Sequence, residues 1–88
     1  MNEYEILEND MLNLLQILND FISKESKDEL KECINHNESG IAFEDICSII
    51  LLYKIPIKQD TYKKIVDLGK RMNFAETCWI QLKDLIER

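Results

Sequence analysis

The chain has 88 residues, of which 45% are hydrophobic and 32% are charged, and its net charge at pH 7 is −6. This length predicts a single domain, residues 1–88, with a small core, and the composition excludes an intrinsically disordered chain. The acidic balance argues against nucleic-acid binding, which needs clustered Lys and Arg, and favours either a basic protein partner or a role in solubility alone.

The cysteines, the N-terminus and the longest apolar run limit the chemistry and the location. Cys33, Cys47 and Cys78 are widely spaced, and with one His and no CxxC pair the sequence predicts free buried thiols and no metal or cofactor. The acidic N-terminus lacks the basic segment of a secretory signal, which indicates a cytoplasmic protein. The apolar run 41–54 is too short to span a membrane and contains two carboxylates, so no membrane partner is expected.

The first predicted helix covers residues 3–23. Its outer face and first turn are acidic, since residues 1–23 hold five carboxylates and no Lys or Arg. This face is either solvated or a docking surface. Apolar residues recur at i, i+3 and i+4 along the other side, which predicts a buried stripe. The stripe consists of Tyr4, Leu7, Met11, Leu14, Leu15, Leu18, Phe21 and Ile22.

A short second helix is predicted from Ser26 to about His36. Ser26 and Glu29 have the spacing of a capping box, in which each side chain accepts a hydrogen bond from a backbone N–H at the helix start. The apolar stripe of this helix is thin. His36 is interpreted as the C-terminal cap of the helix rather than as a catalytic base, because no nucleophile with a matching spacing accompanies it.

The segment 39–54 predicts the central helix. Apolar side chains spread around most of its circumference, so we expect neighbouring elements to bury it almost completely. A narrow polar strip remains, formed by Glu44, Asp45 and Ser48. Pro56 ends the helix, because the residue before a proline is disfavoured in the α region.

Two further helices are predicted, over residues 58–72 and 74–88. The fourth helix is basic, and intramolecular pairing with the acidic first half is the simplest interpretation of this polarity. Gly69 lies on its buried stripe, which predicts close approach of another helix. Trp79 is expected to anchor the last helix in the core. Five helices with short connections predict an all-α, compact single-domain bundle.

The sequence contains no motif that predicts catalysis. It has no Gly-rich phosphate loop, no HExxH, no GxSxG and no EF-hand loop. Glu44 and Asp45 are adjacent, and on a helix their side chains diverge by about 100° instead of facing each other as an acid–base pair would. We therefore expect a binding protein and not an enzyme.

A longer pattern resembles a known family. The stretch 36–47, HNESGIAFEDIC, reads as Glu, one residue, Gly, a small apolar stretch and a second Glu at the start of an apolar helix. With the residues that follow it, this stretch resembles the MafI family of bacterial immunity proteins and related small helical immunity proteins of contact-dependent inhibition systems. The later residues that carry the resemblance are Ile55, Pro56, Ile57, Tyr62, Ile65, Leu68, Gly69, Met72, Trp79 and Leu82.

The resemblance implies a cytoplasmic protein that binds and neutralises one cognate toxin domain. Such toxins are often nucleases, including EndoU-type RNases, whose clefts are basic because they hold a polyanion. Glu38 and Glu44 match the two acidic positions of the family-like stretch. The alternatives are that Glu38 caps the central helix and that Glu44 pairs with a Lys of the fourth helix. The predicted toxin-contacting residues are Glu38, Glu44, Asp45, Ser48, Asp28 and Glu32.

Two other functional classes stay open at this point. A helical adaptor or self-associating domain would have no toxin partner and would form a stable oligomer, whereas an immunity protein is expected to be a monomer or weak dimer when free. A helix-turn-helix DNA binder would use the basic fourth helix, but the overall acidity opposes it.

Overall fold

Four α-helices carry most of the chain in the computed structural model, which describes residues 1–87. They are α1 (Glu3–Ile17), α2 (Lys24–Asn35), α3 (Ser39–Tyr53) and α4 (Gln59–Arg71). Short 3-10 segments occupy Asn19–Phe21, Glu76–Cys78 and Ile80–Leu85. The predicted all-α compact bundle is confirmed, with its helices joined by short turns.

Helix α3 packs against three other parts of the chain. It contacts α1, α2 and the C-terminal segment 74–87. Its inward side is fully apolar and buried, formed by Ala42, Phe43, Ile46, Cys47 and Ile50. Phe43 stacks on Phe74 of the C-terminal segment with ring centroids 5.2 Å apart. The core of the domain is therefore built around one side of α3.

The first helix ends earlier than the sequence predicted. It stops at Ile17 instead of residue 23, and a 3-10 turn then leads into an extended Ile22. Phe21 and Tyr4, both expected on the buried stripe, are 52% and 73% exposed. Residues 19 and 20 are Asn and Asp, which are poor helix formers that favour turns, and the reversal of the chain carries Phe21 outward.

The start of α2 also differs from the prediction. Ser23, not Ser26, is the N-cap: its Oγ accepts a hydrogen bond from the Ser26 N–H at 3.2 Å. The helix therefore begins at Lys24, two residues before the predicted start. The prediction of a capping box formed by Ser26 and Glu29 is wrong, because Ser26 already lies inside the first turn of α2.

We expect Ser23→Ala to destabilise the protein by about 1 kcal/mol, because it removes the acceptor that satisfies a free N–H at the start of α2. Ser26→Ala should change the free energy of unfolding by less than about 0.5 kcal/mol, since that position has no capping role. Urea unfolding of both variants measures this difference. An equal decrease in the free energy of unfolding in both variants would contradict the assignment of Ser23 as the N-cap.

The C-terminal segment is not the α-helix that the sequence predicted. It forms 3-10 turns, and a single parallel bridge joins Ile57 to Ile86. The Ile57 N–H donates to the Leu85 carbonyl at 3.0 Å, and the Glu87 N–H donates to the Ile57 carbonyl at 2.7 Å. Trp79, Leu82 and Leu85 are spaced by three residues. This spacing fits a 3-10 helix, with three residues per turn, as well as it fits an α-helix, so the sequence pattern could not distinguish the two helix types.

Candidate partner-binding face

One side of α3 is open to solvent, and we call it the α3 outer face. Its residues recur at spacings of three or four and include two adjacent pairs, so they occupy about a third of the helix circumference. Each of them is exposed. The strip consists of Ile41, Glu44, Asp45, Ser48, Leu51 and Leu52.

The exposure of three aliphatic side chains corrects the prediction that α3 is buried almost all round. Ile41 is 53% exposed, Leu51 is 42% exposed and Leu52 is 73% exposed. An 88-residue chain has few elements with which to surround a helix, and here the neighbours of α3 cover its inward side and its two flanks only. Large exposed aliphatic side chains at both ends of one helix face mark a candidate interaction site.

A shallow groove runs along each flank of the α3 outer face. Between α3 and α2, the groove is lined on the α3 side by Asp45, Ser48, Ile49 and Leu52. Between α3 and the C-terminal segment, it is lined on the α3 side by Glu44, Cys47, Ser48 and Leu51. Ser48 lines both grooves and so lies on the ridge between them. The face is therefore a convex ridge that a partner would have to straddle.

The carboxylates of this face have no intramolecular cation within the part of the chain that the structure describes. Among residues 1–87, both ion pairs use Arg71, which lies 2.7 Å from Asp10 and 3.0 Å from Asp67. The Arg71–Asp10 pair links α4 to α1, so one basic residue of α4 pairs with the acidic first half of the chain. Glu44, however, forms no ion pair with a Lys of α4 within these residues.

The alternative prediction for Glu38, that it caps α3, holds for its backbone but not for its side chain. Glu38 occupies the N-cap position of α3, and its carbonyl accepts a hydrogen bond from the Ala42 N–H at 3.1 Å. Its side chain makes no capping hydrogen bond. The Glu38 carboxylate is exposed and free to meet a cation from outside the chain.

A group of acidic residues surrounds the half-buried thiol of Cys33. Burial raises the pKa of Cys33, and the charges of Glu38, Asp45, Glu32 and Glu29 raise it further in that order. The structure therefore brings three of the predicted site residues together around one point between α2 and α3. Glu29 joins them although the sequence reasoning assigned it to a cap. Its spacing of four from Cys33 places both on the α3-facing flank of α2.

Ser48 lines the same groove as Asp45 and Cys33, whereas Asp28 and Glu44 lie apart from this group. Asp28 is exposed and is about 160° around α2 from the buried Leu30, so it faces away from α3. Glu44 lies on the opposite flank of α3, beside Cys47. Burial first, then Cys78 and then Glu44 raise the pKa of Cys47 to about 12. Cys47 therefore stays a neutral thiol at physiological pH and is not an activated nucleophile.

The alkylation rate of the Cys33 thiol reports on the acidic residues that surround it. Asp45→Asn or Glu38→Gln should lower the pKa of Cys33, because each removes a negative charge that disfavours the thiolate. At a fixed, mildly alkaline pH the thiolate fraction then rises, and alkylation of Cys33 by iodoacetamide should become faster. Peptide mapping by mass spectrometry distinguishes Cys33 from the other thiols. Asp28→Asn is the control and should leave the rate unchanged; a rate that Asp45→Asn also leaves unchanged would contradict the placement of Asp45.

His36 acts at the end of α2 as the sequence predicted. It is the C-cap residue, and its Nδ1 lies 2.8 Å from the backbone carbonyl of Glu32. A carbonyl only accepts hydrogen bonds, so Nδ1 carries the proton in this arrangement. The ring is thus occupied in closing the helix.

Further exposed apolar side chains lie at and just before the start of α1, namely Met1, Tyr4 and Ile6. Together with Glu3, Leu7 and Arg71 of α4, Tyr4 and Ile6 line a shallow recess. Arg71 is already held by Asp10 and Asp67, so the recess has no free cation within residues 1–87.

Within residues 1–87, no three or more His, Cys, Asp and Glu side chains are grouped so that they could hold a metal ion, and no helix has the length and apolar character to cross a membrane. Comparisons with protein-family models, with curated proteins and with solved structures found no significant match to this chain.

Proposed function

We propose that this chain is an immunity protein that binds and neutralises a cognate bacterial toxin domain in the cytoplasm. The observation that carries the proposal is the α3 outer face, where Glu44 and Asp45 are exposed, have no cation partner within residues 1–87, and lie between exposed aliphatic side chains. A face with unpaired charge and exposed apolar area suits a partner that supplies both complements.

The proposed partner is a basic toxin domain, most simply a nuclease such as an EndoU-type RNase. A nuclease cleft presents cations to a polyanion, and carboxylates can occupy the places that phosphates would take. The acidic net charge of −6 would also accelerate encounter with such a domain. In this role the chain acts by occlusion, as a binding protein and not as an enzyme, and it binds no nucleic acid.

Co-expression tests the proposal in cells. The C-terminal domain of the protein encoded immediately upstream should arrest growth when it is produced alone, and simultaneous production of this chain should restore growth. Production of an inactive toxin domain is the control for slower growth that results from protein production alone. Growth arrest that this chain does not relieve would contradict the proposal.

One observation favours a second candidate function, a self-associating domain. Tyr4 and Ile6 are exposed at the start of α1 and line one recess, and exposed apolar side chains of this kind can be buried against a second copy. Sedimentation equilibrium of the purified chain measures this directly. A stable dimer that Tyr4→Ser dissociates would support self-association, whereas a monomer at all concentrations would exclude it.

A further inference from the structure

We propose that Ile41, Leu51 and Leu52 are the anchoring contacts of the α3 outer face, and that the partner surface carries two apolar recesses on either side of a basic patch. The inference rests on the proposed function and specifies the chemistry of the partner. It assigns the strength of binding to the aliphatic side chains and the rate of association to the carboxylates.

The order of residues along α3 sets the geometry of the partner. Ile41 lies in the first turn, Glu44 and Asp45 follow in the second, and Leu51 and Leu52 lie in the last. At 1.5 Å per residue, Ile41 and Leu52 are separated by about 16 Å along the helix. The two recesses of the partner should therefore lie about 16 Å apart, with Lys or Arg side chains between them and nearer to the recess for Ile41.

The division of roles follows from exposure and charge. Leu52 is 73% exposed and would lose most of that exposure in a complex, so its burial is gained only on binding. Binding energy at interfaces is concentrated in a few side chains that become fully buried, whereas charges at a solvated surface mainly set the association rate and its salt dependence.

The same face does not suit a second copy of the chain. A parallel contact, or an antiparallel one centred between Glu44 and Asp45, would place these carboxylates opposite their own copies, and like charges repel. An antiparallel contact centred on Ser48 would place them opposite Leu51 and Leu52. Charged groups would then be buried without a cation, which is unfavourable. A basic partner removes both difficulties.

The test measures association and dissociation rates by biolayer interferometry, with an inactive form of the upstream-encoded toxin domain immobilised as the probe. Leu52→Ala and Ile41→Ala are expected to raise the dissociation rate by about 30-fold or more for Leu52 and about 10-fold for Ile41, with little change in the association rate. Tyr4→Ala is the matched control, because Tyr4 is equally exposed at 73% but lies on α1.

The outcomes separate the inference from the proposed function. If the wild-type chain does not bind the toxin domain, the proposed function fails and the inference fails with it. If the wild-type chain binds and both variants dissociate at the wild-type rate, the proposed function stands and the inference is wrong. Faster dissociation of Tyr4→Ala alone would also overturn the inference, because it would place the anchor on α1. Circular dichroism spectra of the variants verify that each one is folded.

Discussion

Replacement of Gly69 by alanine is expected to lower the free energy of unfolding by about 2 kcal/mol, although alanine is the better helix former. A methyl group at this position would lie 2.2 Å from Trp79 Cζ3, 2.6 Å from Trp79 Cε3 and 3.1 Å from Phe43 Cζ. Trp79 is 4% exposed and Phe43 is fully buried, so neither ring can move aside without disturbing the core. Overpacking of this kind costs about 1–3 kcal/mol, and the gain in helix propensity offsets about 1 kcal/mol. Because the contacts with Trp79 would be so short, the overpacking cost should lie at or above the upper end of its range.

Gly40 provides the matched control. A methyl group there would lie 3.6 Å from the nearest ring atom of Phe74, which is an ordinary contact. Gly40→Ala should therefore be neutral or stabilising by up to about 1 kcal/mol. Thermal and urea unfolding measure both variants. In a Trp79→Leu background the cost of Gly69→Ala should shrink, because the clashing ring is gone. A Gly69→Ala variant as stable as the wild type would contradict the close packing of Trp79 on α4.

Reversal of both charges on the α3 outer face is expected to weaken binding of the proposed toxin domain by about 100-fold or more, because like charges would then face each other across the proposed interface. The variant is Glu44→Lys/Asp45→Lys. Neutralisation by Glu44→Gln/Asp45→Asn should cost less than about 10-fold and should act mainly on the association rate. Both positions are exposed, so the fold should tolerate either change.

The control for this prediction changes the net charge equally at another surface. Glu5→Lys/Asp20→Lys lies on α1 and in the turn that follows it, away from both grooves of α3. It should reduce the association rate slightly through the overall field and leave the dissociation rate unchanged. Equal losses in the two reversed variants would indicate that net charge, and not this face, governs binding. Unchanged affinity in Glu44→Lys/Asp45→Lys would exclude the α3 outer face as the contact.

The sequence predicted a helix well where the local signals for its start and end enclosed a run of buried apolar residues. The central helix was predicted over 39–54 and runs from Ser39 to Tyr53, because its apolar run is bounded by a turn and by Pro56. Lys54 closes it in a left-handed conformation with φ of 50°, and the Ile55 N–H donates back to the Ile50 carbonyl at 3.0 Å. Gly69 was predicted to permit close approach of another helix, but the group that approaches it is the Trp79 ring of the C-terminal segment.

The errors arose where tertiary packing decides between similar local patterns. An i, i+3 spacing is compatible with an α-helix and with 3-10 turns, and the pairing of Ile57 with Ile86 accompanies the latter in the C-terminal segment. The sequence also predicted that α3 would be buried almost all round, because hydrophobicity indicates which side chains favour burial but not whether enough chain exists to cover them. The exposed apolar side chains of the α3 outer face were missed for this reason, whereas the polar strip with Glu44 and Asp45 was predicted and is exposed.

Titration of toxin activity with the purified chain tests the proposed function most directly. The C-terminal domain encoded upstream is assayed on RNA while wild-type chain is added in increasing amounts, with Glu44→Lys/Asp45→Lys in parallel. We predict that the wild-type chain abolishes activity at one-to-one stoichiometry and that the reversed variant requires a large excess. Full toxin activity in the presence of excess wild-type chain would contradict the proposal that this protein is an immunity protein for that toxin.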